Sequence, residues 1–282
     1  MHYRSAIGAI AVAAMLCVST GSVPAAEDIS KYPDWAGKWR RAEGGPPRYD
    51  PSKPRGRGQQ PPLTAEYQKI FEASLAAQEA GGQGNDTTYT CIPVGMPRQA
   101  TSGFPIEMVI TPKITYWLYE ASFSTTRRIF TDGRSFPTNE EPTFAGYSIG
   151  QWQDTDGDGK FDTLVVETRN FKGPRQFDNS GTPLHEDNAT VIKERMFADK
   201  SKPDSLFNEV TTIDKALTRP WTVMKNYLRV KNPTFAEDNC SENNNHVEIG
   251  KEGYFLSADG YLMPTRKNQP PPDLRYFPKA SK

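Results

Sequence analysis

The stretch QDTDGDGKFDTLVVET, residues 153–168, sets Asp154, Asp156, Asp158 and Asp162 close together, with Gly157 and Gly159 between them. Calcium takes six to eight oxygens, and a loop with carboxylates at positions 1, 3, 5 and 9 and a carbonyl at position 7 can wrap it. Asp154, Asp156, Asp158, the Lys160 carbonyl and Asp162 fill that pattern, with Gly159 at position 6. Position 12, where a bidentate Glu closes an EF-hand, is Val165, and flanking helices are missing. The metal expectation is therefore a structural calcium clip. The plainer reading is an Asp/Gly turn that needs no metal. Clustered carboxylates repel one another, so the clip reading implies calcium-dependent ordering.

A second group is HEDNATVIKER. His185 is suited to proton transfer near neutral pH. Glu186 and Asp187 can orient it, and Glu194 and Arg195 lie on the strand that follows. With Glu194 or Asp132 as partner, His185 is the candidate acid/base of a lyase, hydratase or isomerase. A loop histidine among solvated acids is the alternative. A third group joins TRRIFTDGR to KALTRPWT. Arg127 and Arg128 alternate across a strand, so one can face inward, and Arg134 can pair with Asp132. Arg219 precedes Pro220 and Trp221, and a guanidinium beside an aromatic ring can hold a carboxylate, a phosphate or a planar ligand. The ligand-binding candidates are Arg128, Arg195, Arg219, Trp221, Trp117 and Tyr119. The same arginines could instead be bridges that fasten strand ends. Convergence of His185, Arg128, Glu194 and Arg219 on one cavity would favour a site.

The elements that would position these residues are mainly strands. From about 104 to 256 the hydrophobic period is two. Strands are expected near 105–111, 114–121, 127–131, 146–153, 162–169, 189–197, 206–213 and 222–230, with one or two more near 246–256. Thr111-Pro112, Asp132-Gly133, the acidic loop, Ser180-Gly181 and Lys202-Pro203 separate them. Many short strands without intervening helices indicate an antiparallel barrel or sandwich. Along TYWLYEA and ATVIKERMF neither face is purely apolar, which favours a barrel whose lumen mixes polar and aromatic groups. One N-terminal helix is expected at 64–79, with Thr64 as N-cap, Glu66 in the first turn and Gly81-Gly82 as the stop. Its Tyr67, Ile70, Phe71 and Leu75 stripe reads as core packing, although Ser74 and Gln78 share that face. The rest of 26–103 reads as extended chain anchored by Trp35 and Trp39, and 257–282 as a Pro-rich tail along the surface.

The chain has 282 residues, with 34 basic and 34 acidic side chains, so charge suggests neither nucleic acid nor an anionic membrane as partner. Aromatic content of 11%, with 22 Gly and 24 Pro, suits strands and turns. Residues 1–25 read as a secretory signal. Arg4 precedes a short apolar core, too short for a stable membrane anchor, and SVPAA offers small residues for cleavage. Leu16 before Cys17 argues against a lipoprotein. The mature chain would be periplasmic or secreted. Its two cysteines, Cys91 and Cys240, are then expected to form a disulfide closing a loop of roughly 150 residues, a constraint of about 4 kcal/mol. No G-x-S-x-G, H-E-x-x-H, P-loop or dinucleotide fingerprint is present, so no nucleotide, flavin or zinc is expected.

CIPVGMPR, TRRIFTDGRSFP, GYSIGQW, DTLVVETRNF, GTPLHEDNATVIKER, TTIDKALTRPWT and CSENN follow one another in this order. In them the chain resembles a widespread family of exported bacterial proteins of uncharacterised function, over roughly 90–245. The resemblance implies an exported, β-rich, lipocalin-like domain and no particular activity. Relatives read like GYSIGRWEGDTLVVET, so the acidic loop here resembles an insertion at a hairpin tip. The leading expectation is an exported lipocalin-like barrel holding a small, partly apolar ligand. The alternatives are an enzyme using His185 on the same barrel, and an envelope structural or interaction module with the Pro-rich ends as contacts.

Overall fold

A computed structural model describes residues 29–42, 61–120, 126–234, 240, 245–250 and 252–272. The segment expected as a signal, most of the Pro/Gly-rich stretch before the helix, and the last ten residues lie outside them.

Among the described residues, twelve strands carry the architecture. They are β1 (Gly37–Arg41), β2 (Ile106–Ile110), β3 (Ile114–Tyr119), β4 (Arg127–Phe130), β5 (Tyr147–Gln153), β6 (Thr163–Arg169), β7 (Val191–Asp199), β8 (Lys202–Ile213), β9 (Trp221–Arg229), β10 (His246–Ile249), β11 (Glu252–Leu256) and β12 (Leu262–Pro264). Strands β1 to β9 close into a barrel, each paired with the next and β9 paired with β1. Alternation puts one residue in two inside: β5 buries Ser148, Gly150 and Trp152, and β7 buries Ile192, Glu194 and Met196. Most buried side chains pack in the lumen and under its two ends as one hydrophobic core.

Two features of the strand pairing depart from the sequence expectation, and Lys202-Pro203, expected as a turn, instead opens β8 because the chain already turns at 200–201. The barrel is mixed rather than antiparallel, because β4 and β5 pair in parallel, Ile129 with Ser148 and Phe130 with Ile149. Residues 131–146 carry the chain back to the starting end before β5 begins. Asp132-Gly133 does turn, with Gly133 at positive φ, but it opens this long return instead of a hairpin. Gly150 fits the parallel seam, since a Cβ there would lie 2.7 Å from the Ile129 Cγ2. The second departure is β1. The segment read as surface-wrapping chain supplies the strand that joins β2 to β9, and it drives Trp39 into the core with no exposed surface. Trp35 is buried beside it, as its anchor reading expected. At the other end of the chain, β10 and β11 leave the barrel and form a three-stranded sheet with β12 from the expected tail.

Among the described residues two α-helices are present where one was expected: α1 (Ala65–Glu79) and α2 (Arg98–Thr101). Thr64 caps α1 by accepting from the Tyr67 amide, and Gly81 leaves it at positive φ. The apolar stripe of α1 is mostly not core. Phe71 and Ser74 are buried, whereas Ile70 and Leu75 are each 42% exposed. The helix docks through its polar residues: Ser74 Oγ donates to Asn85 and Gln78 Nε2 to the Ser180 carbonyl. Cys91 and Cys240 form the expected disulfide, with Cα atoms 5.8 Å apart. Among the described residues no helix is long and apolar enough to cross a membrane.

Candidate functional site

Pairing fixes two ends of the barrel. The upper end holds the starts of β2, β4, β5, β7 and β9; the lower end holds the β2–β3, β5–β6 and β7–β8 turns. Between them, inward positions of β3 to β9 bring polar groups together inside the lumen. Arg127 on β4 reaches across to Glu194 on β7, and the two side chains are 1% and 0% exposed. The pair is bidentate: Nη1 donates to Oε1 at 3.1 Å, and Nη2 to Oε2. Ser148 and Thr168 accept from the same guanidinium at 3.1 and 2.9 Å, and Asn208 Nδ2 donates to Glu194 Oε1 at 2.9 Å. Burial of two charges is tolerated here because the guanidinium and the carboxylate are paired with each other and hydrogen-bonded to Ser148, Thr168 and Asn208. The Trp117 ring lies 4.9 Å from the guanidinium carbon.

Around this pair, four buried polar atoms have no hydrogen-bond partner among the described residues: Trp117 Nε1, Thr115 Oγ1, Asn208 Oδ1 and Thr212 Oγ1. Each costs free energy unless something in the lumen meets it. Aliphatic Ile129, Val166, Ile192 and Val210 and aromatic Trp117, Trp221 and Tyr227 surround them. Tyr227 is fully buried, and burial first, then the Glu194 charge, pushes its phenol up. The lumen thus combines apolar walls with fixed donors and acceptors, the composition of a small-molecule site.

The upper end is roofed. All four residues of α2 are buried, and the Ala100 carbonyl accepts from the Tyr227 hydroxyl. Arg98 forks onto Asp86 at 2.7 and 3.0 Å and also donates to Asn179. Burial tends to raise the Asp86 carboxyl, but hydrogen bonds and charge from Arg98 hold it below the ordinary carboxylate value. Gly95 is required just before this helix, because a Cβ would fall 1.8 Å from the Phe144 carbonyl oxygen. Phe177, from the loop over this end, packs against Trp221 in a tilted arrangement with ring centroids 4.4 Å apart.

The sequence-selected residues do not meet in one cavity. Glu194 and Trp117 face the lumen, Trp221 lies under the roof, and Tyr119 contacts Ser102 at the upper rim. His185 stands half-buried on the upper loop. Its amide donates to Asp214, its Nδ1 lies 3.1 Å from both the amide and the carboxylate of Asp187, and Tyr67 flanks its ring. Asp187 is held below its ordinary value, chiefly by a hydrogen bond from Lys215. Among the described residues no hydrogen bond or ion pair joins His185, Glu194 and Asp132. Asp132 is exposed beyond the lower end of β4 and pairs with Arg134. Arg128 and Arg219 are exposed, and Arg195 lies outside over Phe197 at 4.5 Å. Of the two adjacent arginines, the inward one is Arg127.

Sequence reasoning passed over Ser148, Thr168, Asn208, Thr115 and Thr212, which are ordinary strand residues until paired. Their signal is register: each alternates in phase with a buried apolar neighbour on its own strand. It also passed over Arg175, whose Nη2 donates to the His185 and Asp187 carbonyls and to Thr190, and which sets the shape of the upper loop.

In the acidic loop, Asp154, Asp156 and Asp162 can each offer an oxygen within 4.8 Å of the others. Asp154 also accepts from the amides of Gly157, Asp158 and Gly159, and Asp162 holds Thr155. Lys200, from the β7–β8 turn, pairs with Asp156 and lies 3.6 Å from Asp158. A lysine thus already supplies part of the positive charge that a cation would bring. Lys160 is exposed.

No family model, no curated protein and no solved structure matches the chain.

Proposed function

We propose that this is an exported small-molecule-binding barrel whose lumen holds a small, partly apolar ligand around the Arg127–Glu194 pair. The observation that carries the reading is the set of buried, unpartnered polar atoms on Trp117, Thr115, Asn208 and Thr212, set among aliphatic and aromatic walls. A lumen serving only as core would gain from apolar side chains at these positions. A ligand that accepts from Trp117 Nε1 and donates to Asn208 Oδ1 removes that cost. A screen of small metabolites against the mature chain, read by thermal shift, tests this. Trp117→Phe removes that donor together with part of a buried ring, so it should weaken binding of any hit about tenfold and lower the melting temperature. Hits indifferent to Trp117→Phe and Asn208→Leu would remove the lumen as the site.

The acid/base alternative rests on His185 with Asp187 alone, since Glu194 is occupied by Arg127 and Asn208. Loss of turnover in His185→Ala with binding retained would revive it. The calcium clip stays part of the proposal as a structural element, with Asp154, Asp156 and Asp162 as ligands and Lys200 as the group that calcium would displace. Calorimetric titration with calcium tests it.

A further inference from the structure

The lower end carries a cleft that the lumen reading does not use. Tyr32 and Trp35 from the chain before β1 form one side, Phe161 and the acidic loop the other, and the β7–β8 turn closes it. Its volume is about 220 Å3. That is below the roughly 300–1,000 Å3 of sites for drug-sized ligands, and it limits the occupant to about one substituted ring.

The rings are held in place by one another. Tyr32 lies 5.1 Å from Phe161 and 5.5 Å from Trp152, and Trp35 lies 5.2 Å from Trp152. The Phe161 amide donates to the Lys31 carbonyl at 2.7 Å, which ties the two walls together. The apolar platform is therefore formed before any ligand arrives. Its lining carries Asp158 and Asp162 against Lys160 and Lys200, with Lys200 also paired to Asp156. Asp158 and Lys200 side chains are 52% and 65% exposed, so both stand in solvent at the rim.

Each feature narrows the ligand class. A cation would meet two ammonium groups and an anion two carboxylates, so a balanced rim favours a neutral molecule. Carboxylates accept and ammoniums donate, so the edge of that molecule must do both. Aromatic platforms take an apolar face. A neutral ring with a C–H face and hydroxyls around its edge meets all three conditions. We propose that this cleft binds a single sugar residue, at a site separate from the lumen.

The test uses the full mature chain titrated with the methyl glycosides of glucose, galactose, mannose and N-acetylglucosamine. The readout is the indole N–H signals of its five tryptophans. At least one probe should shift the indoles of Trp35 and Trp152, with a dissociation constant on the order of 1 mM. Asp158→Asn and Lys160→Met, at exposed positions, should each weaken that binding roughly three- to tenfold. Phe161→Ala should weaken it further, with circular dichroism confirming the fold. Trp117→Phe in the lumen should leave it unchanged. The proposal is overturned if no probe moves an indole at tens of millimolar. It is also overturned if the shifts fall on Trp117 and Trp221, or if Asp158→Asn and Lys160→Met bind like the parent. A lumen that fails to bind any metabolite would leave these outcomes untouched, so the two readings fail separately.

Discussion

The two ends of the barrel are closed by different physics. The upper roof is held by directed interactions: Arg98 forked onto Asp86, Arg175 gathering loop carbonyls, and Tyr227 bonded to the backbone of α2. The lower floor is held by packed rings of Tyr32, Trp35, Trp152 and Phe161, with charges only around the rim. Directed bonds fix geometry and respond to pH. Packed rings depend on area and respond to truncation. The contrast suggests that the roof sets the shape of the lumen's entrance, whereas the floor is a rigid base beside its own small cleft.

Substitutions can break that contrast, and the largest effect is expected at the floor. Trp35→Ala should cost about 4 kcal/mol in denaturant titration, because it removes a buried ring against which Trp152 packs. A loss no larger than that of a surface substitution would mean the floor is not a packed base. Asp86→Asn should come next, at roughly 3 kcal/mol, since it leaves the buried Arg98 guanidinium without its carboxylate. The same pair gives the roof an acid limit. A depressed carboxyl contributes its full stability above its unfolded value of 3.8 and loses it as pH falls through the lower folded value. Hydrogen-exchange protection factors in α2, corrected for the intrinsic rate, should therefore fall below about pH 4 in the parent. Asp86→Asn should lack that component, and the floor should not share it.

Calcium sharpens the comparison from the other side. At a hundredfold excess over its dissociation constant, a bound ion would stabilise the protein by about 2.7 kcal/mol. The effect should disappear in Asp154→Asn and grow in Lys200→Ala, and exchange protection should rise at the lower end only. No calcium response in either protein would reduce the loop to an Asp/Gly turn. The smallest effect belongs to Asp132→Ala. The residue pairs with Arg134 in solvent, and neither melting temperature nor ligand binding should change measurably.

Much of this molecule is legible in its sequence, and the misses share a cause. The period-two stretches placed β2 to β11 within a few residues, because one face of each strand must be buried and the other need not be. Glu194 and Trp117 were selected for their chemistry and do face the lumen. Arg128 was selected over Arg127 because TRRIF offers two phases of alternation, and only the pairing with Trp117 decides between them. Strand β1 escaped because GKWRR is short, charged and set just before a Pro/Gly-rich stretch, so its membership depends wholly on the partners β2 and β9. The parallel β4–β5 pair escaped because a turn signal marks where a chain bends, not which strand it returns beside. His185 illustrates the limit for sites. Its residue type fits proton transfer, but its loop is held away from the lumen by Arg175 and Asp214, which no local pattern announces.

The seam at β1 has a consequence for how the chain reaches this state. Arg229 donates to the Ala36 carbonyl, 193 residues away in sequence. Until β1 docks, β2 and β9 each lack a neighbour on the side it fills. Both then expose unpaired backbone, the template on which strands from other chains can add. Closure across so long a loop is slow by nature. The five residues of β1 therefore cover two strand edges at once, and deleting residues 37–41 should lower the solubility of the protein.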